Sequence, residues 1–312
     1  MWPILNLNQA LAYLDQIRIA YDGVDGDRRS SARRELEHFY LVHARTWLRT
    51  LELVRQAFPA IERPLRVLDL GASPYFFTAL LAEHIPCEIV GSTVPVSSWP
   101  GEPFPIAAYP VVLERGPDRP PLELTSWTFN IEKDTFPFPD QSFDLVLCME
   151  VMEHLTYSPS HTLAEAHRVL RQDGHLVITI PNYLRSQRLV EVLLGRPDDF
   201  TYTGSGIQGR HQRELTQAEL RLLLEACNYR VERLDVAMVW PWSTQTTLPG
   251  RVVNALIRGF LDLPLAYARN RRELVLALAA PVGAPKLGYL PLLYDDPPAF
   301  PQTGRRTVEA GL

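Results

Sequence analysis

The residues able to do chemistry stand just behind short apolar runs. Asp69-Leu70-Gly71-Ala72-Ser73-Pro74-Tyr75 closes the run that begins at Leu65, and Glu150, Glu153 and His154 follow Phe143 to Met149. Imidazole is the side chain that changes charge near neutral pH, so His154 beside Glu153 is the first candidate for proton transfer. His211 is the second, set among Arg210, Arg213 and Glu214. Three potential cations and a carboxylate within five residues suit a bound sugar, phosphate or carboxylate, and equally an internal ion-pair network. His154, His161, His167 and His175 lack any tight metal spacing, so no metal site is expected. The first turn also differs from a pyrophosphate cradle, which needs bare backbone and helix N–H groups. Ser73 occupies the place of the second glycine, and Pro74 has no N–H. The pair is expected to serve as N-cap and first residue of the next helix. Such a turn suits a ligand without phosphate that needs one close glycine approach, and S-adenosylmethionine is such a ligand.

These residues need elements to position them. Leu36, Phe39, His43, Trp47, Leu51, Val54 and Phe58 recur every three or four positions, an apolar helical stripe that Pro59 stops. Strands are expected at Leu65–Leu70, Cys87–Gly91, Leu122–Ile131, Phe143–Met149, His175–Ile180, Tyr229–Trp240 and Glu273–Ala280. Helices are expected at Phe76–His84, at Thr162–Leu170 behind a Ser158-Pro159 cap, and behind the Thr216-Gln217-Ala218-Glu219 capping box. Eight prolines fall between Pro95 and Pro121, so residues 92–121 are expected to be an irregular connection. Alternating strands and helices imply a parallel α/β sheet with right-handed crossovers.

Several stretches together resemble class I S-adenosylmethionine-dependent methyltransferases, type 11-like. Val67-Leu68-Asp69-Leu70-Gly71-Ala72-Ser73-Pro74-Tyr75-Phe76 is similar to the first motif of a bacterial subgroup with a Gly-Ala-Asn-Pro-Tyr-Phe type turn. Phe129-Asn130-Ile131-Glu132, Phe143 to Leu155, Glu165 to Asn182 and Gly209 to Thr216 follow in the same order as in that subgroup. The resemblance covers about residues 65–235. It implies a Rossmann-like seven-stranded sheet with helices on both faces. A helical N-terminal extension (1–62) precedes the core (63–240). A helical insertion and candidate lid (241–272), the last core strand (273–290) and a proline-rich tail (291–312) follow. It further implies S-adenosylmethionine as cofactor, with Asp69, Gly71, Ser73, Tyr75, Ser92, Thr93, Asn130, Ile131, Met149 and Glu150 around it. Asp69 would lie near the methionine amino end, and Asn130 on the adenine edge, with Ile131 packed on the ring. Tyr183, Arg210 and Arg213 are the expected acceptor contacts. Family members usually end the second strand with a ribose-holding carboxylate. Gly91-Ser92-Thr93 stands there instead, so Ser92, Thr93, Glu102 or Glu114 is expected to serve.

The implied activity is methyl transfer to a small-molecule or glycan-type acceptor, with oxygen favoured. The rival reading is a binding module that keeps the fold without turnover. Composition agrees with an enzyme of small molecules. The formal charge is −5, so a broad basic surface for nucleic acid is not expected. Of 31 basic residues 29 are arginine, a bias best read as genome composition. Cys87, Cys148 and Cys227 are odd in number and far apart, which argues for a reducing compartment. Met1 to Asn6 carries no basic region, and Leu274 to Pro285 is too short for a membrane span, so a cytoplasmic location is expected.

Overall fold

The computed structural model describes residues 6–20, 29–93, 105–193, 195, 211–239 and 270–286, with positions 252, 255, 256 and 259 in addition. In chain order the elements are α1 (Leu7–Leu14), β1 (Ile17–Ala20), α2 (Arg29–Ala57), β2 (Leu65–Leu70), α3 (Phe76–His84), β3 (Cys87–Thr93), β4 (Ala107–Arg115), β5 (Leu122–Thr128) and β6 (Phe143–Met149). There follow α4 (Ser160–Val169), β7 (Leu170–Pro181), α5 (Ser186–Leu193), α6 (Gln217–Ala226), β8 (Tyr229–Ala237) and β9 (Leu274–Pro281).

One sheet runs through the molecule in the order β1-β4-β5-β3-β2-β6-β7-β9-β8. The neighbours β5, β3, β2, β6 and β7 are parallel, whereas β9 runs antiparallel between β7 and β8. β2 leads through α3 to β3 on one side, and the chain returns from β5 to β6 on the other, so the strand order reverses at β2. That switch point is where open α/β sheets bind ligands. Alternation along the central strands builds two cores. Val67, Leu145, Leu147 and Val177 face the side packed by Trp47, Leu51, Phe76 and Leu80 of α2 and α3. Leu68, Leu70, Val146, Cys148 and Ile178 face the side packed by Leu163 of α4 and Leu220, Leu223 and Leu224 of α6. Burial on both faces explains why β6 reads as an unbroken apolar run.

The sheet has nine strands instead of the expected seven. Both additions lie on the β5 edge. The proline-rich connection contains β4, paired antiparallel with β5 from Ala107↔Thr128 to Leu113↔Leu122. Its Val111-Val112-Leu113 run favours strand, and Pro110 falls beyond the four positions, Val112 to Arg115, that β1 covers. The N-terminal segment is therefore not purely helical, since β1 interrupts it. α3 occupies the expected Phe76–His84, but Ser73 and Pro74 are not its N-cap and first residue. Its N-cap is Tyr75 in the left-handed conformation, with no side-chain cap, and the Ser73-Pro74 peptide is cis. α4 begins at Ser160, and Ser158 Oγ accepts from the Ser160 N–H at 3.2 Å. β5 stops at Thr128, because Asn130 opens a turn. β7 starts earlier than the expected His175, at Leu170, and its Gln172-Asp173-Gly174 stretch is accommodated as a register shift opposite β6. A Cβ at Gly174 would lie 3.0 Å from the carbonyls of Arg171 and Asp144, a tight contact that glycine avoids. The capping box before α6 forms as expected: Thr216 Oγ1 accepts from the Glu219 N–H at 3.2 Å, and Glu219 Oε2 accepts from the Thr216 N–H at 2.8 Å. Residues 241–269, apart from the isolated positions above, and residues 291–312 lie outside the described residues, as do the insertion and tail expected there.

At the other end of the sheet, Asp144 locks β2, β6 and β7 together. Its carboxylate accepts from Arg63 at 2.8 and 2.5 Å, from the Arg66 N–H at 2.8 Å, and from Arg171. Burial works to raise its pKa, but these donors prevail and hold it at about 2. A depressed carboxylate adds stability above its unfolded pKa and loses it as pH falls through the folded value. Asp144→Asn should therefore lower unfolding free energy in urea by about 1–2 kcal/mol at pH 7, solvent screening included. The difference from wild type should shrink between pH 4 and pH 2; a difference that persists at pH 2 would contradict the ion-pair origin.

Candidate functional site

The carboxyl ends of β2, β3, β5, β6 and β7 carry nearly all the residues singled out above. At the end of β2, Gly71 adopts φ +73, and both Gly71 and Ser73 are exposed. A Cβ on Gly71 would come within 2.5 Å of the Val151 side chain, so the turn after β2 closes directly on the turn after β6. Asp69, one residue inside the strand, is 1% exposed, and its Oδ2 accepts from Thr78 Oγ1 of α3 at 2.8 Å. Burial raises its pKa to about 7 against that hydrogen bond. A buried carboxylate of this kind matches a ligand carrying an ammonium group.

Tyr75 and Ile131 are placed beneath the surface. Tyr75 is fully buried, and its hydroxyl donates to Ser126 Oγ at 2.8 Å. Ile131 joins the core beside Phe129 and Phe136. Asn130 Oδ1 accepts from the Glu132 N–H at 2.9 Å, which shapes the turn after β5. Ser92 is buried, and its carbonyl accepts from the Ala72 N–H at 2.9 Å, joining the turn after β2 to β3. Thr93 is half-buried at the strand end. Glu114 cannot replace the ribose carboxylate: β4 runs antiparallel and carries it to the opposite end of the sheet, where it pairs in register with Arg18. Glu102 lies outside the described residues.

After β6 the chain turns sharply. Met149 is half-buried, and Glu150 adopts φ +52 with its N–H donating to the Thr179 carbonyl at 2.9 Å. Its carboxylate meets His43 Nδ1 of α2 at 2.6 Å, and the His43 ring stacks on Trp47. His43 thus enters the site from the N-terminal extension. The only signal for it in the sequence is a histidine in an otherwise apolar stripe.

The short 3-10 turn Met152–His154 then presents Glu153 and His154. Glu153 is 1% exposed, and its Oε2 has no hydrogen-bond partner. Burial, then the nearby Glu150 carboxylate, pushes its pKa well above the usual range. His154 Nε2 lies 4.0 Å from Glu153 Oε1. The Glu153 carbonyl accepts from the Gln212 N–H at 2.5 Å and the Arg213 N–H at 3.3 Å. This clamp brings His211 against His154, with ring centroids 5.0 Å apart. The three expected catalytic residues are therefore one cluster, with a ligand atom from each of Glu153, His154 and His211 within 4.8 Å of the others.

Behind it, His211 Nδ1 bonds Glu214 Oε1 at 2.8 Å, and Glu214 also pairs with Arg185 and, at 3.1 Å, Arg188. Burial opposes ionisation of Glu214, but His211 and Arg185 overcome it and hold its pKa below the ordinary value. The arginines around this carboxylate are thus those of the β7–α5 turn. Arg213 turns away to Glu219 at 3.5 Å, and Arg210 lies outside the described residues. Tyr183 is exposed, with the Arg188 guanidinium 4.5 Å above its ring. Asn182 is fully engaged in holding the frame. Its side chain donates to the Asn270 and Arg272 carbonyls at 2.9 and 2.7 Å and accepts from the Leu184 N–H at 3.1 Å.

Among the described residues no helix is long and apolar enough to cross a membrane. Residues 32–234 match the family model for a methyltransferase domain. A "Probable S-adenosylmethionine-dependent methyltransferase" of Mycolicibacterium smegmatis is 29% identical over 144 residues, 46% of this chain and 50% of that protein. An uncharacterized protein of Methanocaldococcus jannaschii, MJ0638, is 44% identical over 46 residues, 15% of this chain and 20% of that one. The chain thus spans half the length or less of these curated relatives. Among solved structures, a chain from the complex between the Haloferax volcanii Trm112 methyltransferase activator and a methyltransferase is similar at a TM-score of 0.50. That likeness has 14% identity, covers 84% of this chain and 100% of the other, and bears on the fold alone. With about two thirds of its length matched, the chain belongs to the methyltransferase-domain family, a class of enzymes whose cofactor is S-adenosylmethionine.

Proposed function

We propose that the protein transfers a methyl group from S-adenosylmethionine to an oxygen of a small-molecule or glycan-type acceptor. The observation that carries this reading is the buried Asp69 behind the exposed Gly71 turn, at the switch point of a methyltransferase-domain sheet. Bound there, the cofactor supplies an electrophilic methyl group on a sulfonium. The protein then has to orient, exclude water and handle one proton. Asp69 binds the ammonium end. Gly71 offers bare backbone with the exposed Ser73 beside it, and Asn130 takes the adenine edge. Thr93 stands where the ribose hydroxyls fall. Met149 and Glu150 form the wall toward the acceptor, with Glu150 held by His43. His154 is the first group placed to accept a hydroxyl proton from the acceptor, with His211 and Glu153 beside it. Tyr183 is on the acceptor side. The alternative, a binding module without turnover, is favoured by one observation: β3 ends in Gly91-Ser92-Thr93, with no carboxylate where the resemblance implies a ribose-holding one.

Thermal unfolding with ligand tests the reading. S-adenosylmethionine or its demethylated product at about 100 times Kd should add about 2.7 kcal/mol, and NAD should add nothing. No shift with either sulfur compound would overturn the proposal. Because Asp69 titrates at about 7 and an ammonium favours its ionised form, binding should release a proton below that pH. Affinity should therefore rise from pH 5.5 to 7.5 in the wild type. In Asp69→Asn it should be about ten-fold weaker and flat over that range.

His154→Ala should slow methyl transfer by at least ten-fold, measured with labelled donor on a panel of sugar and phenol acceptors. The cofactor-induced shift should persist in this variant. Undiminished turnover would remove His154 from the chemistry, and a shift without turnover in the wild type would favour the binding module.

A further inference from the structure

We propose that Glu153, His154 and His211 form a binding site for a first-row divalent cation such as zinc, facing the acceptor. The three residues supply one carboxylate oxygen and two imidazole nitrogens, all within 4.8 Å of one another. Ligands about 2.0–2.1 Å from a tetrahedral ion lie about 3.4 Å apart, so side-chain adjustments near 1 Å close the shell. Two imidazoles with one carboxylate suit zinc and its transition-metal neighbours over magnesium or calcium, which take oxygen ligands.

A second observation points the same way. Glu153 Oε2 is buried with no partner, in a side chain 1% exposed, beside the carboxylate of Glu150. Leaving a buried carboxylate oxygen without a donor is costly, and a cation relieves both the desolvation and the crowding of negative charge.

The surroundings have the form of a ligand support. His211 Nδ1 is engaged by Glu214 at 2.8 Å, which leaves Nε2 for an ion and fixes the ring. Metal-binding histidines commonly use such a carboxylate. Glu214 is itself held by Arg185 and Arg188. The Gln212 and Arg213 N–H bonds to the Glu153 carbonyl join the two ligand-bearing segments. His154 and His211 are 29% and 42% exposed, so the site opens outward and keeps a coordination position for an outside oxygen.

The role of the cation rests on the methyl-transfer reading, whereas its binding does not. An acceptor hydroxyl on the open position becomes more acidic. Its O–H proton passes to solvent, and the oxygen bonds the methyl carbon. The carbon–sulfur bond then breaks with its electron pair left on sulfur. In this arrangement His154 acts as a ligand, and solvent accepts the hydroxyl proton in its place.

The test is direct binding to chelator-treated, tag-free protein. Cobalt(II) should bind one equivalent with the visible absorption of a tetrahedral N/O site, and one equivalent of zinc should displace it. His211→Ala, at a half-exposed position, and Glu153→Gln should each weaken binding by at least ten-fold while keeping the stabilisation by S-adenosylmethionine. His161→Ala, which alters a histidine bonded to the Asp134 carbonyl, should leave it unchanged. A wild type that takes up no cobalt or zinc overturns the site, as does uptake that survives both ligand variants or is lost equally in His161→Ala. If cobalt binds as described but neither sulfur compound stabilises the protein, the methyl-transfer reading falls and the cation site stands.

Discussion

The site depends on how closely two turns approach each other. Gly71 has no Cβ, and the Val151 methyl group fills the place one would take. The turn after β2 and the turn after β6 are therefore a single packed unit across the switch point. A larger side chain at position 71 would be strained at φ +73 and would also push the two turns apart. On one side of this contact lies Asp69. On the other lie Glu150, Glu153 and His154. The distance between a ligand held by the first turn and a reactive group on the second is thus set by backbone packing, which is more rigid than a side-chain hinge.

The same region concentrates poorly compensated acids. Asp69 and Glu273 are each held at about 7, and Glu153 is pushed well above the ordinary carboxylate range, in each case mainly by burial. Such groups cost folding free energy at neutral pH. Asp144, at the far end of the same sheet, shows the contrast: it is surrounded by arginine and adds to stability. Asp144 thus joins strands, whereas Asp69 and Glu153 carry a burial cost at the carboxyl ends of β2 and β6 that a cation bound beside them would recover in part.

Much of this was legible in the amino-acid order. The apolar runs of β2 and β6, the Trp47–Leu51–Val54 stripe and the Thr216–Glu219 box are local patterns, and local patterns survive folding. Two kinds of feature were hidden. β4 was masked by prolines, because a strand with β5 beside it and a short partner outside tolerates residues that an isolated run does not. The Glu153–His154–His211 cluster was hidden by separation, since His211 is brought to the other two by the N–H bonds of Gln212 and Arg213 to the Glu153 carbonyl. No spacing rule anticipates that. His43 was concealed differently: it occupies a core-facing position of α2, yet that face ends at the site.

The two strands added at the β5 edge have a consequence for how copies of the protein meet. A parallel sheet that ended at β5 would present a whole strand of unpaired amides to solvent. Instead the border is β1, only four residues long. The part of β4 that β1 leaves uncovered includes Pro110, which has no amide hydrogen to offer. Short terminal strands and proline are the devices by which natural sheets resist edge-to-edge stacking. Among the described residues, the proline-rich stretch therefore leaves little of this flank open to pairing with a further strand.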